Sequence, residues 1–491
     1  MAYVGTIGVA KSRFGVSLPL VMGLLVFATL LLSGTRLLGD PDTYWHIVAG
    51  RWIIAHRAIP HFDFFSNSMP GAPWVAHEWL AEVATAAIFD HFGWAGLVVA
   101  AAGAFALAMA VLTRTLLRFL EPVHALAGMA TAWGMCLPHL LARPHTMAMP
   151  LMALWLGALV EARSRGRPPA APIAVVMLLW ANLHGGYMLG LVLAALFGAE
   201  AVVSAGSWRA AGLAAREWAL FGAGALAAAL ITPNGVAGLW LPFHLMQMPF
   251  AMSVLMEWQS PNFQEIQPLE IWLLAAFLGA LALGLRLPWT RVLMLGLLVH
   301  LALGHVRNAE VLGIAAPFIL AEPLAAEIRR LAPRRGRSAL DGVLAELAKP
   351  AGAGGLALAA IVAFVLGAVP VTHGLARGPD PFAPSRALAA VAAADVEGPV
   401  LNDYGFGGYL IFSGIAPFID GRVDMYGDAF LERYVEATHG LSPDLPQLLD
   451  DYHVGWTLLE AKSTGATLMD HLPGWQRLYA DDIAVVHIRA R

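Results

Sequence analysis

The run Leu38-Gly39-Asp40-Pro41-Asp42-Thr43-Tyr44-Trp45-His46 decides how this chain is read. It follows directly on an apolar stretch, residues 16–38, and sets two carboxylates and an imidazole within seven residues. Pro41 keeps Asp40 out of the α region, so the chain turns before a helix can begin. One reading is structural: Asp42 suits the N-cap of a helix starting at Thr43, and Asp40 solvates the helix end. The other is functional, because ionisable groups at a membrane edge cost desolvation energy unless paired or hydrated, and so mark site candidates.

Outward from this run the chain is apolar. Of 491 residues 58% are hydrophobic and 13% charged, against about a quarter charged in ordinary soluble proteins. That excludes an ordinary cytosolic enzyme. Mean hydropathy is +0.66, and apolar stretches of bilayer-spanning length recur at roughly 16–38, 94–118, 123–141, 145–162, 169–184, 187–205, 215–232, 269–285, 290–305, 309–325 and 354–372. This is the pattern of an α-helical polytopic membrane protein with about eleven transmembrane helices. The net charge of -4 argues for neither nucleic acid nor a strongly anionic partner. The single cysteine, Cys136, excludes an intrachain disulfide and a cysteine zinc cluster, and its apolar setting reads as a small buried hydrophobe.

The cations orient the spans. With Lys11 and Arg13 on the cytoplasmic side, loops on that side hold 17 Lys and Arg, and the opposite loops hold only Arg36, Arg51, Arg57, Arg143 and Arg307. An odd number of spans then puts the C-terminal part outside. The expected location is a bacterial inner membrane, multi-pass, with a cytoplasmic N-terminus and a periplasmic C-terminal domain. The first apolar run is longer than a signal-peptide core and its exit lacks a small-residue cleavage site, so it reads as a retained helix. The fifth and sixth spans, separated only by residues 182–187, could instead form a re-entrant hairpin without changing the parity.

Residues 1–372 thus read as the membrane domain, with three segments that do not span. The loop 39–93 is too long and too aromatic for a linker, and two helices, at about 43–54 and 77–90, are expected to lie in the interface, the second with Glu78 and Glu82 on one face. The loop from Thr232 to about Pro268, with Glu257, Glu265, Trp258 and Phe263 and no Lys or Arg, reads either as an interfacial lid or as a long connector. Residues 326–350 form a basic cytoplasmic segment suited to anionic lipid. Residues 373–491 change character: acids outnumber bases two to one from residue 374 onward. Strands are expected at 399–402, 418–420, 456–460 and 484–488, with helices near 428–438 and 445–450, a small α/β domain. Within it, Asn402–Tyr409 and Ile419–Asp428 are dense in Asp and Gly; they read as tight turns or as a sugar- or acceptor-binding surface, and not as a nucleotide fingerprint.

The ends of other helices on the Asp40 side add Arg143 and His145, His184, and His305-Val306-Arg307-Asn308 with Glu310 close behind. Together with Asp40, Asp42, His46 and Glu78 they suggest one polar cavity, in which an arginine fork would match phosphate oxygens. Displacing a lipid phosphate from an anomeric carbon needs a base for the acceptor proton and a cation for the departing phosphate. Asp42 could supply the first, and Arg143 or Arg307, with His184 or His305, the second. A divalent metal between Asp40, Asp42 and the phosphate is compatible with the carboxylates, but no His-x-x-x-His or clustered spacing argues for one, and no cofactor is assigned.

This arrangement resembles the GT-C superfamily of membrane glycosyltransferases, closest to the protein-mannosyltransferase and aminoarabinose-transferase branch with its Rgt-like members. Gly39 to His46 and Trp74 to Glu82 also resemble a group of bacterial membrane proteins placed there. The resemblance implies a cell-envelope transferase that moves a sugar from a polyprenyl-phosphate donor to a lipid, glycan or protein acceptor at the periplasmic face. It maps the first-loop aspartate, base or organiser of the acceptor, onto Asp40 or Asp42, with Asp42 preferred. His46 departs from the family pattern, and the phosphate-binding arginine finds no motif match. A transporter or flippase of a lipid-linked substrate, or a non-catalytic membrane scaffold, is the alternative. Against transport, no internal repeat is evident and the charges sit at helix ends.

Overall fold

The computed structural model describes residues 11–331, 339–378 and 380–490. The membrane part is a helical bundle: α1 (Leu18–Leu32), α2 (Asp42–His56), α3 (Trp79–Leu116), α4 (Pro122–Cys136), α5 (Pro144–Ser164), α6 (Ala174–Leu183), α7 (Tyr187–Val203), α8 (Trp208–Ala229), α9 (Gly235–Leu245), α10 (Pro249–Val254), α11 (Pro268–Leu283), α12 (Trp289–Gly304), α13 (Asn308–Leu331), α14 (Ala339–Leu347) and α15 (Ala353–His373). Each expected span falls on a helix. Among the described residues, four helices (α3, α5, α13 and α15) are long and apolar enough to cross a bilayer unaided, and six more are apolar but shorter, so helix length alone does not establish eleven crossings. Outward-facing Ile271, Leu274, Phe277 and Leu281 on α11 and Ile361 and Phe364 on α15 are exposed. Such continuous apolar faces suit hydrocarbon and would be untenable in water.

The centre of the bundle is α3, which packs against α1, α2, α4, α5, α13 and α15, with Leu97, Phe105, Met109, Trp155 and Phe318 in its core. Its first half is the helix expected as a second interfacial one. Instead of lying separately it runs on into the span, broken only at Gly93, whose φ of 60° is open to glycine. The first expected interfacial helix, α2, also differs: Tyr44, Trp45, His46, Ile47, Ala49 and Ile53 are all buried. Its first half is enclosed, with α3 on one side and the helix Gly407–Phe412 of the C-terminal part on the other, while Arg51, Ile54 and His56 in its second half stay exposed. The basic stretch is divided, with Arg329 and Arg330 in α13 and Lys349 paired to Glu346 at 2.6 Å. Arg334, Arg335 and Arg337 lie outside the described residues.

The C-terminal part holds α16 (Ser385–Ala393), α17 (Gly407–Phe412), α18 (Val423–Tyr426), α19 (Asp428–Thr438), α20 (Leu445–Asp451) and α21 (Thr464–His471) around a four-stranded sheet. Strands β1 (Val400–Asn402), β2 (Trp456–Glu460), β3 (Trp475–Ala480) and β4 (Ala484–Arg489) follow the order β1-β2-β4-β3, the first pair parallel and the rest antiparallel. Two expectations fail here. Residues 418–420 are not a strand, because their backbone groups are bound by side chains: Asn402 takes Phe418 N–H and donates to Ile419 O, and Ser68 donates to Phe418 O. The Gly-rich run is not a tight turn between strands but a short 3-10 helix, Tyr404–Phe406, leading into α17. Its glycines permit close approach, since a Cβ at Gly407 would overlap Ile419 O and one at Gly408 would overlap Pro41 O.

Candidate active site

Asp40, Pro41 and Asp42 form a tight turn between α1 and α2. Helix α2 starts at Asp42 itself, not at Thr43, and the capping role falls to Asp40, whose Oδ1 accepts the Asp42 N–H at 3.0 Å. The neighbouring Arg143 is placed by local chemistry. Pro144, at the first position of α5, holds Arg143 extended, and Ala142 N–H donates to Leu37 O at 2.7 Å. The guanidinium therefore arrives over the turn.

There it is fully engaged. Arg143 Nε pairs with Asp40, Nη2 pairs with Asp42, and Nη1 donates to Glu257 Oε2 at 2.8 Å. Arg143, expected as a phosphate-binding residue, has its fork filled by three carboxylates in this structure. The same guanidinium stands between Asp40 and Asp42, where a divalent ion would have to lie, so these donors do not fit a metal. Among the described residues, no group of three or more His, Cys, Asp or Glu has the geometry to hold one.

Burial is the largest influence on Asp40 and pushes its carboxyl up to about 6, with Arg143 opposing. Burial also works against the charge on Arg143, but Asp40, Asp42 and Glu257 outweigh it and hold the guanidinium firmly protonated. For Glu257 the balance runs the other way: burial raises its pKa, and Arg307 and Arg143 together bring it below the usual value. Glu257 owes its position to backbone pairing across two loops, Val306 N–H to Gln259 O at 2.9 Å and Arg307 N–H to Glu257 O at 3.3 Å. Its Oε1 accepts from Arg307 at 3.1 Å. Arg307 has this one carboxylate and lies 4.5 Å over the Trp258 ring, leaving it the less committed of the two cations.

Further in, the Glu78 carboxylate faces three imidazoles at 3.7–3.9 Å, those of His46, His77 and His184. Glu82 lies 3.7 Å from the other nitrogen of His46. Burial disfavours a charged His46, yet the neighbouring Glu82 and Glu78 raise its pKa overall. Burial raises Glu78 too, with His77 and His46 opposing. Gly186 N–H donates to His184 Nδ1 at 3.1 Å, which leaves the His184 proton on Nε2, toward Glu78. His305 donates from Nδ1 to Trp258 O at 2.6 Å, and His145 Nε2 lies 3.6 Å from Glu310.

Of the expected site residues, Asp42, His46, Glu78, Arg143, His145, His184, His305 and Arg307 all line one cavity of about 450 Å³. Asp40 does not: it is buried beneath Arg143, with 1% of its surface exposed. Sequence reasoning did not single out several neighbours as site residues. His77, Glu82, Glu257, Tyr404 and Asp424 line the same cavity. Glu257 had a signal as one of two acids in an aromatic loop without Lys or Arg; Tyr404 and Asp424 lay in the two Asp- and Gly-dense runs. The opposite wall of the cavity is apolar, with Leu241, Leu245 and Met246 of α9 and its exit, and Met252 and Leu255 beyond.

The C-terminal domain is locked onto the first loop. Buried Arg422 donates two bonds to Asp420, at 2.8 and 2.7 Å, and one to Asp63 at 2.6 Å, and its guanidinium lies 5.0 Å from the Phe65 ring and 4.9 Å from the Trp74 ring. Tyr426 O–H completes the set on Asp420 at 2.8 Å. Asp428 accepts Phe250 and Ala251 N–H at the start of α10. The Ile419–Asp428 run is therefore a buried fastening as well as one edge of the cavity.

A helical bundle with a carboxylate pair in its first loop, a cavity at the helix ends and a small sheet beside it is an architecture that solved membrane proteins share. No family model matches the chain, and no curated protein matches it in sequence. Solved structures do match. The crystal structure of ArnT from Cupriavidus metallidurans bound to undecaprenyl phosphate superposes with a TM-score of 0.50 at 15% identity, over 96% of this chain and 97% of that one. The same protein in the apo state gives 0.50 at 16% identity with the same coverage. The apo oligosaccharyltransferase of Archaeoglobus fulgidus gives 0.50 at 12%, over 90% of this chain and 69% of that one. The chain has the GT-C fold.

Proposed function

We propose that this protein is a membrane glycosyltransferase that moves a sugar from a polyprenyl-phosphate donor to an acceptor hydroxyl at the membrane face carrying the C-terminal domain. One observation carries the reading: a single cavity with an apolar wall from α9 and α10 and a charged wall running Asp42, Arg143, Glu257, Arg307. An amphiphilic donor with a lipid tail and a charged sugar-phosphate head needs both walls, and the volume suits a small-molecule site. The GT-C fold, and the undecaprenyl phosphate bound to one structure that shares it, support this choice of donor.

In this reading the acceptor oxygen attacks the anomeric carbon, the bond from that carbon to the phosphate oxygen breaks, and the electron pair leaves with the phosphate. Asp42, the member of the Asp40/Asp42 pair that lines the cavity, takes the acceptor proton. Asp40, out of reach of the cavity, holds the turn and Arg143 in place. Arg307 faces the departing phosphate, and Arg143, paired with Asp42, holds that carboxylate oriented. The sugar is a hexose or pentose, and the cell address is a bacterial inner membrane with this face toward the periplasm.

The test is transfer of radiolabel from a pool of polyprenyl-phosphate sugars in membranes holding matched amounts of wild type, Asp42→Asn or Asp40→Asn. Asp42→Asn should lower transfer by about 100-fold or more, the range typical of a lost general base. Full transfer by Asp42→Asn would remove Asp42 as base, and no transfer by the wild type from any donor would return the weight to transport or scaffolding.

A further inference from the structure

The Asp40–Pro41–Asp42 turn is touched from above at each of its three residues by the C-terminal part of the chain. Arg377, in the link between α15 and α16, donates from Nη2 to the Asp40 carbonyl at 2.6 Å. Gly408, in α17, lies against the Pro41 carbonyl so closely that a Cβ there would overlap it. Gly421 lies against Asp42 itself, where a Cβ would overlap Oδ1. The contacts come from three separate segments and converge on three consecutive residues.

Arg377 is itself held. Its Nε pairs with Asp380 at 2.6 Å, and its guanidinium lies 4.0 Å from the Tyr44 ring and 5.0 Å from the Trp94 ring. Asp380 in turn accepts from Tyr44 O–H at 2.7 Å. The guanidinium therefore joins the first turn of α2, the restart of α3 after Gly93 and the tail link into one buried unit. A planar fork lying over two rings, hydrogen-bonded through Nη2 and ion-paired through Nε, has few alternative positions.

We infer that the C-terminal domain is part of the catalytic machinery by position: Arg377, Gly408 and Gly421 fix the backbone and side-chain geometry of the Asp40–Pro41–Asp42 turn, with Arg377 as the principal positioning residue. The inference rests on Asp42 being the base of the proposed reaction. The physical case is that the turn has little support of its own. Asp42 is the first residue of its helix, the preceding Pro41 offers no side-chain cap, and the one local tie is the bond from Asp42 N–H to the Asp40 carboxylate. Without the overlying contacts, Arg143 would still attract both carboxylates, but the Asp42 carboxylate would lose the close packing of Gly421 that limits its rotation. Misplacement by about 1 Å at a reacting group costs roughly 100-fold in rate.

The test uses the full-length protein in detergent with two readouts. Hydrogen exchange of the amides from Asp42 to Tyr44 needs no substrate; Arg377→Ala should speed it at least tenfold at unchanged melting temperature, with Arg377→Lys between. In the transfer assay, Arg377→Ala and Gly421→Ala should each lower kcat at least tenfold and leave the donor KM within about twofold. Gly421→Ala removes no bond of the domain, so it reads the geometry even if Arg377→Ala unfolds. Unchanged exchange in Arg377→Ala with unchanged kcat in Gly421→Ala overturns the inference, as does a loss of activity that merely follows loss of folded protein. Faster exchange in a protein whose wild type transfers no sugar would sink the enzymatic reading and leave the positioning contacts standing.

Discussion

At the scale of single residues, the site is governed by how one guanidinium is shared among three carboxylates. Arg143 meets Asp40, Asp42 and Glu257 with its three nitrogens, a geometry that a lysine ammonium, a single point of charge, cannot reproduce. Arg143→Lys should therefore lower kcat at least tenfold while the protein stays folded, as read by transfer rate beside a melting curve. Asp40 adds a pH signature. Its folded value of about 6 lies above the ordinary 3.8, so the folded state binds this proton more tightly than the unfolded one. The stability it contributes is full below about pH 4 and is lost as pH rises through about 6. Activity should run the opposite way, because the ionised carboxylate is the form that anchors Arg143. The acid limb of kcat is expected near pH 6, and Asp40→Asn should abolish that limb and flatten the dependence of melting temperature on pH between 4 and 6. An unchanged acid limb in Asp40→Asn would assign it to another group.

At the scale of elements, the telling contact is α2 on α3. Gly50 lets the two backbones touch, since a Cβ there would overlap Glu82 O and crowd Ala86. Gly50→Ala should cost about 1–3 kcal/mol, the usual range for overpacking, and lower the melting temperature accordingly. The helix would have to move with His46 and Asp42 on it, so transfer should fall too. The fastening of the C-terminal domain makes a sharper demand. Arg422 is 1% exposed and is the shared cation of Asp63 and Asp420, themselves buried. Arg422→Leu leaves two buried carboxylates without a cation and should destabilise by about 3–5 kcal/mol. A melting temperature within a degree or two of wild type would mean that water reaches this cluster. The same elements explain why α2 read as interfacial: a helix that mixes tryptophan and tyrosine with His and Arg has the composition of a surface helix, and nothing local says that a domain more than 300 residues later covers it.

At the scale of the whole molecule, the excess of Lys and Arg in alternate loops predicts that the site and the C-terminal domain share the outer side. Alkaline phosphatase fused after Arg491 should be active and a fluorescent protein fused there dark; the reverse pattern would invert the topology. What the sequence by itself determined was the class of protein and where its helices lie. Bilayer-length apolar stretches and turn-forming breaks are local properties, and they also located β2, α19 and α20 almost residue for residue. It also pointed to eight of the cavity's polar residues, because charge is so scarce in this chain that its few occurrences at helix ends stand out. Only the tertiary structure decided what each one faces. That Arg143 is saturated by carboxylates and Arg307 is not, that Glu257 joins them from a distant loop, and that the tail presses on the Asp40–Pro41–Asp42 turn all depend on groups far apart in the chain. Periodicity reports the polarity of a face, but the partner that covers it is fixed only when the whole chain has packed.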